Sequence, residues 1–260
     1  MSKTVVLKCG GSTVHQLSET FFQSLKDLVS SNWRVMIVHG GGPDITKMLK
    51  ALEIETEFYN GQRKTTEDVL EIAEMVLAGK INKHLTNLLQ QKGFNSIGVS
   101  GTDGGLLQAE YLDKENLGLV GKVTSVQTSA VSLLMDHGYI PVVAPLARTV
   151  TNETLNVNAD LAAAAIANGV GAEKFLFVTD VPGIMDQNKQ VIETITPEEI
   201  SELIEKEVIT GGMIPKVESA VATLSDICQE VMIVSGSEAF VESGIFKGTK
   251  IVSEGEVLKS

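Results

Sequence analysis

The chain has 260 residues, 43% hydrophobic and 21% charged, proportions of a soluble globular protein with room for one large domain or two lobes. Its 33 acidic against 21 basic residues leave a net charge of −12, which argues against nucleic acid as the main partner, since phosphate backbones attract basic surfaces. An anionic substrate must then be drawn in by a local basic cluster. No apolar run approaches the ~18–20 residues that span a bilayer, and no signal core precedes the first strand. Cys9 and Cys228 form neither a disulfide framework nor a metal-ligand spacing, so a reduced cytoplasm is the expected compartment.

Apolar runs alternate with helical patterns along most of the chain. The first run, Thr4–Lys8, is followed by Gly10-Gly11-Ser12 and then by a helical pattern over Glu19–Ser31. A second run, Val35–His39, ends in Gly40-Gly41-Gly42-Pro43 before a helix over Ile45–Ala51. Unbroken apolar runs of this length suit parallel strands buried on both faces. Glycine just beyond such a strand lets backbone N–H groups approach an anion, and a helix opening there adds its dipole. Pro43 fits a first helical turn, where an N–H has no partner to lose. Taken alone, both glycine clusters read equally well as tight turns.

Glu53–Arg63 is a short extended segment turning at Asn60-Gly61, with basic Arg63 and Lys64 beyond it. Thr66, Glu67 and Asp68 supply a cap and an acidic first turn for a helix over Thr66–Ala78. Another helix, Asn82–Lys92, closes on Gly93, and a strand follows at Ser96–Val99. Leu107–Val126 mixes β-branched residues, glycines and charges, as an antiparallel excursion would. The helix Ser129–His137 ends at Gly138 and leads to the strand Ile140–Ala144. Leu155-Asn156-Val157-Asn158-Ala159-Asp160 runs into an alanine-rich helix, Ala159–Asn168, where Asn158 or Asp160 either caps the helix or faces a ligand. A lobe boundary is expected near Asn168–Glu173. Beyond it come the strand Lys174–Thr179, helices Glu198–Glu205 and Lys216–Leu224, and the strand Val231–Val234. The alternation predicts an α/β protein, a three-layer αβα sandwich on a mainly parallel sheet, with ligands beyond the strand carboxyl ends.

No phosphate-binding Walker motif is present: Gly118-Leu-Val-Gly121-Lys122-Val-Thr124 has the wrong spacing and order. Nor does Gly98-Val-Ser-Gly101-Thr-Asp-Gly104-Gly105 match the dinucleotide fingerprint. Lys216, beside Gly211-Gly212, reads by itself as a solvated lysine. His39 abuts the second glycine cluster and is read as structural, while His15, His84 and His137 carry no pattern. Cys9 reads as a packing residue, the alternative being a thiol activated by Lys8.

Eight segments nevertheless follow one another in a known order. They are Lys8-Cys-Gly-Gly-Ser12, Val38-His-Gly-Gly-Gly42, Asn60-Gly-Gln-Arg63-Lys-Thr65 and Glu74-Met-Val-Leu-Ala-Gly-Lys-Ile-Asn82. Gly98-Val-Ser-Gly101-Thr-Asp103-Gly104, Asn156-Val-Asn-Ala-Asp160, Thr179-Asp-Val-Pro-Gly183 and Gly212-Met-Ile-Pro-Lys216 complete the set. Over almost its whole length the chain resembles the amino-acid kinase family, which includes kinases of carbamate, aspartate, uridylate and glutamate. The Asn-Gly-x-Arg lid, the Met-Val-Leu-Ala-Gly-Lys-x-Asn helix and the Asn-Val-Asn-Ala-Asp segment resemble the branch acting on N-acetyl-L-glutamate.

The resemblance implies an amino-terminal lobe, residues 1–170, binding the acyl amino acid and carrying a lid. It implies a carboxy-terminal lobe, residues 171–260, for ATP, whose Mg2+ arrives mainly with the nucleotide. Lys8 and Lys216 would flank the migrating phosphoryl group, with Asp160 holding both lysines. Gly10, Gly11 and Ser12 would meet the nucleotide phosphates, and Gly41 and Gly42 the acceptor carboxylate. Arg63 and Asn156 would bind the α-carboxylate and nearby polar groups. Asp180, Val181, Pro182, Gly183, Ile184 and Met185, with Val208, Ile209, Thr210 and Gly211, would line the nucleotide pocket. Gln62 and Lys64 stand where the family often has apolar residues, which alters the packing of the lid but not its anion contact. Met1–Lys3 leads straight into the first strand, without the extra helix of arginine-inhibited hexamers. The expectation is therefore a cytoplasmic homodimer little inhibited by arginine.

The acceptor carboxylate, with a pKa of about 4, is already ionised at neutral pH. No general base is needed, and catalysis reduces to positioning and charge neutralisation during in-line transfer. One competing reading is a kinase for a homologous acid such as carrier-linked aminoadipate, because one methylene changes discrimination by only about 1–3 kcal/mol. Another is a non-catalytic regulatory module, against which the retention of Lys8, Asp160 and Lys216 speaks.

Overall fold

The two opening apolar runs form β1 (Thr4–Cys9) and β2 (Arg34–His39), joined by α1 (Glu19–Ser30), whose Ser18 cap accepts from the Phe21 N–H. A computed structural model describes residues 3–224 and 230–253, so Cys228 lies outside the described residues. Beyond the second glycine cluster, α2 (Gly42–Ala51) carries Pro43 in its first turn. Asn60 and Gly61 take φ values of 47° and 75° and turn the hairpin of β3 (Phe58–Tyr59) and β4 (Gln62–Arg63). Asn-Gly suits a two-residue turn with positive φ at both positions.

Thr66 caps α3 (Glu67–Glu74) by accepting from the Val69 N–H. The helix does not end at Ala78 as its pattern predicts. It widens into π turns over Met75–Ile81 and continues into α4 (Asn82–Gln91) with helical backbone at the joins. β5 (Ser96–Ser100) then returns to the sheet. The predicted excursion is β6 (Leu107–Tyr111) antiparallel to β7 (Val120–Val126), with the single-turn α5 (Lys114–Leu117) between them. α6 (Ser129–Asp136) and β8 (Ile140–Ala144) fall where expected. β9 (Leu146–Arg148) and β10 (Thr154–Val157), not anticipated as strands, close β6 and β7 into a small barrel.

The remaining elements are α7 (Ala159–Gly169), β11 (Lys174–Thr179), β12 (Thr194–Ile195), α8 (Pro197–Glu205), α9 (Ile214–Val221) and β13 (Glu230–Ser235). A hairpin of β14 (Val241–Glu242) and β15 (Ile245–Phe246) precedes β16 (Thr249–Val252).

Among the described residues the main sheet has eight strands in the order β12-β16-β13-β11-β1-β2-β8-β5, and only β13 and β16 pair antiparallel. Alternation along β1 shows how it is covered. Val5, Leu7 and Cys9 enter one core with side chains of α1 to α4, and Val6 enters the other with those of α6 to α9. This is the predicted three-layer sandwich. β1 is the hinge of its order, with β2 from the first half of the chain on one side and β11 from the last third on the other.

His39, at the end of β2, is fully buried. Its Nδ1 lies 3.1 Å from the Gly40 carbonyl and its Nε2 3.2 Å from Asn82 Nδ2. The Asn82 amide also donates to the Val99 and Val142 carbonyls, pinning α4 to β5 and β8. Burial pushes the imidazole pKa down to about 4, so the ring is neutral and donates from Nδ1 to Gly40. The unfolded chain takes up this proton near pH 6.5, whereas the folded protein does so only near 4. Stability is therefore lost as pH falls through that window. By pH 4.5 native protein should have lost about 2–3 kcal/mol more than a His39→Gln variant, relative to pH 7. Urea unfolding of both at the two pH values checks this, and equal losses would remove His39 as the cause.

Candidate active site

β1 and β2 end side by side, with Cys9 opposite His39, so both glycine clusters leave the same edge of the sheet. The two loops touch. A Cβ on Gly11 would lie 3.0 Å from Gly41 Cα and 3.1 Å from its nitrogen. One on Gly41 would strike Ile81 Cδ1 at 2.6 Å and Leu77 Cδ2 at 2.7 Å, both from the π turns. At Gly11 the obstructing atoms are backbone and can yield little, whereas at Gly41 they are the ends of two side chains. A Cβ on Gly10 would come within 4.0 Å of Lys8 Nζ, so the bare backbone there opens toward that ammonium.

A cleft of about 260 Å³ lies between these loops and the β3–β4 hairpin, and Lys8, Gly10, Gly11, Gly41, Gly42, Arg63, Asn156 and Asp160 all line it. Asn158 settles the first alternative by capping α7, its Oδ1 accepting from the N–H groups of Asp160 and Leu161. The cap leaves the Asp160 side chain free to meet Lys8, whose Nζ is 2.5 Å from Oδ1. Both side chains are only 16% exposed, and the contact is one of charges rather than an aligned hydrogen bond. The Lys8 ammonium also sits 5.6 Å from the centre of the Phe177 ring.

Lys216 has a different partner from the one expected. It enters α9 at its first turn and pairs with Asp180, just past the end of β11, and not with Asp160. That hydrogen bond holds the Asp180 carboxyl below its ordinary pKa. Each lysine therefore has its own carboxylate, Lys8 on β1 facing the start of α7 and Lys216 on α9 facing the end of β11.

Arg63 is buried and held at both ends of its guanidinium. Nη1 donates to Thr56 Oγ1 at 2.6 Å, while Nη2 donates to Thr46 Oγ1 at 2.7 Å and to the Gly42 carbonyl at 3.2 Å. The guanidinium lies 4.7 Å from the centre of the Phe58 ring, and burial lowers its pKa. Asn156 donates to Thr65 Oγ1 at 3.2 Å. No sequence motif singles out Thr46, Thr56 or Phe58 as partners of Arg63. Phe58 was recoverable, since a two-residue Asn-Gly turn sets residues 58 and 63 directly opposite.

Of the residues expected at the nucleotide, Gly10 and Gly11 line this cleft and the others do not. Ser12 is exposed at the start of a short helical turn, Thr13–His15. Val181, Pro182, Gly183 and Met185 follow β11, and Val208, Thr210 and Gly211 precede α9. Ile184 and Ile209 are buried in the core beneath α6 to α9, so their side chains face inward. Cys9 is fully buried, and burial pushes its thiol pKa up to about 12, which makes it a packing residue.

Two glycine loops thus meet at the edge of one cleft, and comparison with known proteins says which family carries this arrangement. The model of the amino acid kinase family matches residues 3–235. Acetylglutamate kinases of Bacillus subtilis and Geobacillus stearothermophilus are 56% and 51% identical, over 99% and 98% of this chain and 100% and 98% of their own. A solved structure from Streptococcus mutans UA159 has a TM-score of 0.80 at 31% identity, covering 97% of this chain and 99% of that one. Carbamate kinase of Giardia, at 16% identity and a TM-score of 0.65 over 97% of this chain and 99% of its own, shares the fold. The chain belongs to the amino acid kinase family and, within it, to the acetylglutamate kinases, which makes it an enzyme that transfers phosphoryl groups.

Gly11→Ala should force the two loops apart, because the obstructing atoms are backbone. The expected cost is about 1–3 kcal/mol of stability, read by urea denaturation. An unchanged midpoint would show that the loops do not bear on each other.

Proposed function

We propose that the protein transfers the γ-phosphoryl group of ATP to the side-chain carboxylate of N-acetyl-L-glutamate, giving N-acetyl-L-glutamyl 5-phosphate, an early step of arginine synthesis. The observation that carries this reading is Lys8, held by Asp160 where the two glycine loops meet, in a chain 56% identical end to end to proteins named for this reaction.

The acceptor carboxylate lies against the Gly41–Gly42 backbone, and its α-carboxylate reaches Arg63 and Asn156. ATP enters from the side of β11 and α9, its phosphates against Gly10, Gly11 and Ser12. A carboxylate oxygen forms the new bond to the γ-phosphorus as the bond to the β-phosphate oxygen breaks, and ADP leaves with that electron pair. No proton moves, which suits a cleft with no histidine in its lining. Lys8 and Lys216 neutralise the charge spread over the migrating group, while Asp160 and Asp180 orient them. Among the described residues no three His, Cys, Asp or Glu side chains gather as a metal site. A magnesium ion would arrive with the nucleotide, held chiefly by its phosphates and water.

Residues 1–170 supply the acceptor site and the hairpin lid, and residues 171–260 the nucleotide site, joined through the β1–β11 pairing. No helix of the described residues is long and apolar enough to cross a membrane. A cytoplasmic homodimer little affected by arginine completes the proposal; gel filtration and assays with added arginine test it.

Trapping the acyl phosphate with hydroxylamine should yield product with N-acetylglutamate, and far less with N-acetylaspartate, glutamate or N-acetylaminoadipate. Preference for the aminoadipate derivative would overturn the substrate assignment while leaving the chemistry. Lys8→Ala and Lys216→Ala should each lower kcat by roughly 10²–10³-fold, with a much smaller effect on the KM for ATP. Turnover unchanged in both would remove the lysines from the mechanism.

A further inference from the structure

Asp44 stands outside the chemistry described above, yet it joins three parts of the site. It lies in the first turn of α2, two residues after Gly42, and is 9% exposed. An acid there ordinarily serves its own helix dipole. Its oxygens instead meet side chains from two other elements. Oδ1 accepts from Lys80 Nζ at 2.7 Å, and Oδ2 lies 3.0 Å from His15 Nε2. Lys80 belongs to the π turns, whose Leu77 and Ile81 pack against Gly41. His15 ends the short turn that follows Gly10-Gly11-Ser12, and that turn is closed by the Val14 N–H donating to the Gly10 carbonyl. A carboxylate sequestered from water and taking two charge-assisted partners makes a stiff joint. His15 and Lys80 are themselves 42% and 48% exposed, so neither is needed to fill the core.

We propose that Asp44 is a positioning residue that clamps the donor loop at Gly10–Ser12 to the acceptor loop at Gly41–Gly42, through His15 on one side and Lys80 on the other. The inference rests on the proposed phosphoryl transfer, in which the two loops carry the two substrates. The direct contact of Gly11 with Gly41 shows that the loops share one interface and have no spacer to absorb a shift. Losing the clamp leaves each loop, and so each substrate's binding, largely intact. What changes is their mutual register, on which in-line transfer depends.

The test uses the full chain, MgATP, N-acetylglutamate and the hydroxylamine trap. Product from native protein establishes the underlying reaction first, and its absence would overturn that reading rather than isolate this one. With activity in hand, Asp44→Ala should lower kcat roughly ten- to hundredfold. The KM for each substrate should move by less than about threefold, at an unchanged melting temperature. His15→Ala and Lys80→Ala should each reproduce part of the loss and add nothing when combined with Asp44→Ala, as members of one unit behave. Native kcat in Asp44→Ala would overturn the proposal, as would losses that simply multiply across the three positions. A rise confined to one KM would also overturn it, assigning Asp44 to a single subsite. Should Asp44→Ala not fold, His15→Ala, Lys80→Ala and their double variant carry the test. A double variant no worse than the poorer single supports the clamp, and a multiplicative loss refutes it.

Discussion

The pairing of Lys8 with Asp160 is the constraint around which this molecule is arranged. An ammonium and a carboxylate withdrawn from water are tolerated only when each faces the other, since a lone buried charge costs several kcal/mol. Lys8 is on the central strand of the sheet and Asp160 is in the first turn of α7, on the face opposite α1 to α4. Bringing them together requires α7 to lie across the end of β1. The Asn158 cap sets that helix start and turns Asp160 inward, where the dipole also favours a negative charge. With the lysine held, one positive charge stands where the glycine loops meet, in a protein whose net charge is strongly negative.

The second constraint is spatial. Two parallel neighbours ending at the same level deliver two glycine loops to one place, where a Cβ on Gly11 would press on the backbone of Gly41. The π turns press on Gly41 from the other side. A π turn adds a residue per turn and shifts the face presented by everything after it, and such turns recur at functional sites. Here the shift serves three contacts at once, with Leu77 and Ile81 on Gly41, Lys80 on Asp44 and Asn82 on His39. The β3–β4 hairpin joins the same assembly through Arg63, which reaches from β4 to the first turn of α2.

Much of this was legible before any coordinates. The six principal strands and eight helices lie within a few residues of where apolar runs, caps and glycine stops put them, because those signals act over three or four neighbouring residues. The Asn60-Gly61 turn is of the same kind. Less legible were β9, β10, β12 and β16, two to four residues long, which are strands only because partners distant in sequence supply their hydrogen bonds. The π turns were hidden as well, since Met75–Ile81 has the composition of an ordinary α-helix.

The same division runs through the site. Sequence alone determined the αβα class, the two glycine loops at strand ends, and the resemblance that names the chemistry and singles out Lys8, Asp160, Arg63 and Asn156. These rest on local periodicity and on ordered motifs that need no partner to be read. Only the tertiary structure decided that Asn158 rather than Asp160 caps α7, that Lys216 pairs with Asp180, that Thr46 and Thr56 brace Arg63, and that Asp44 stands between His15 and Lys80. Each of those is a choice among several chemically equivalent partners far apart in the chain. Such choices are made by which strand ends and helix starts the sheet order brings side by side.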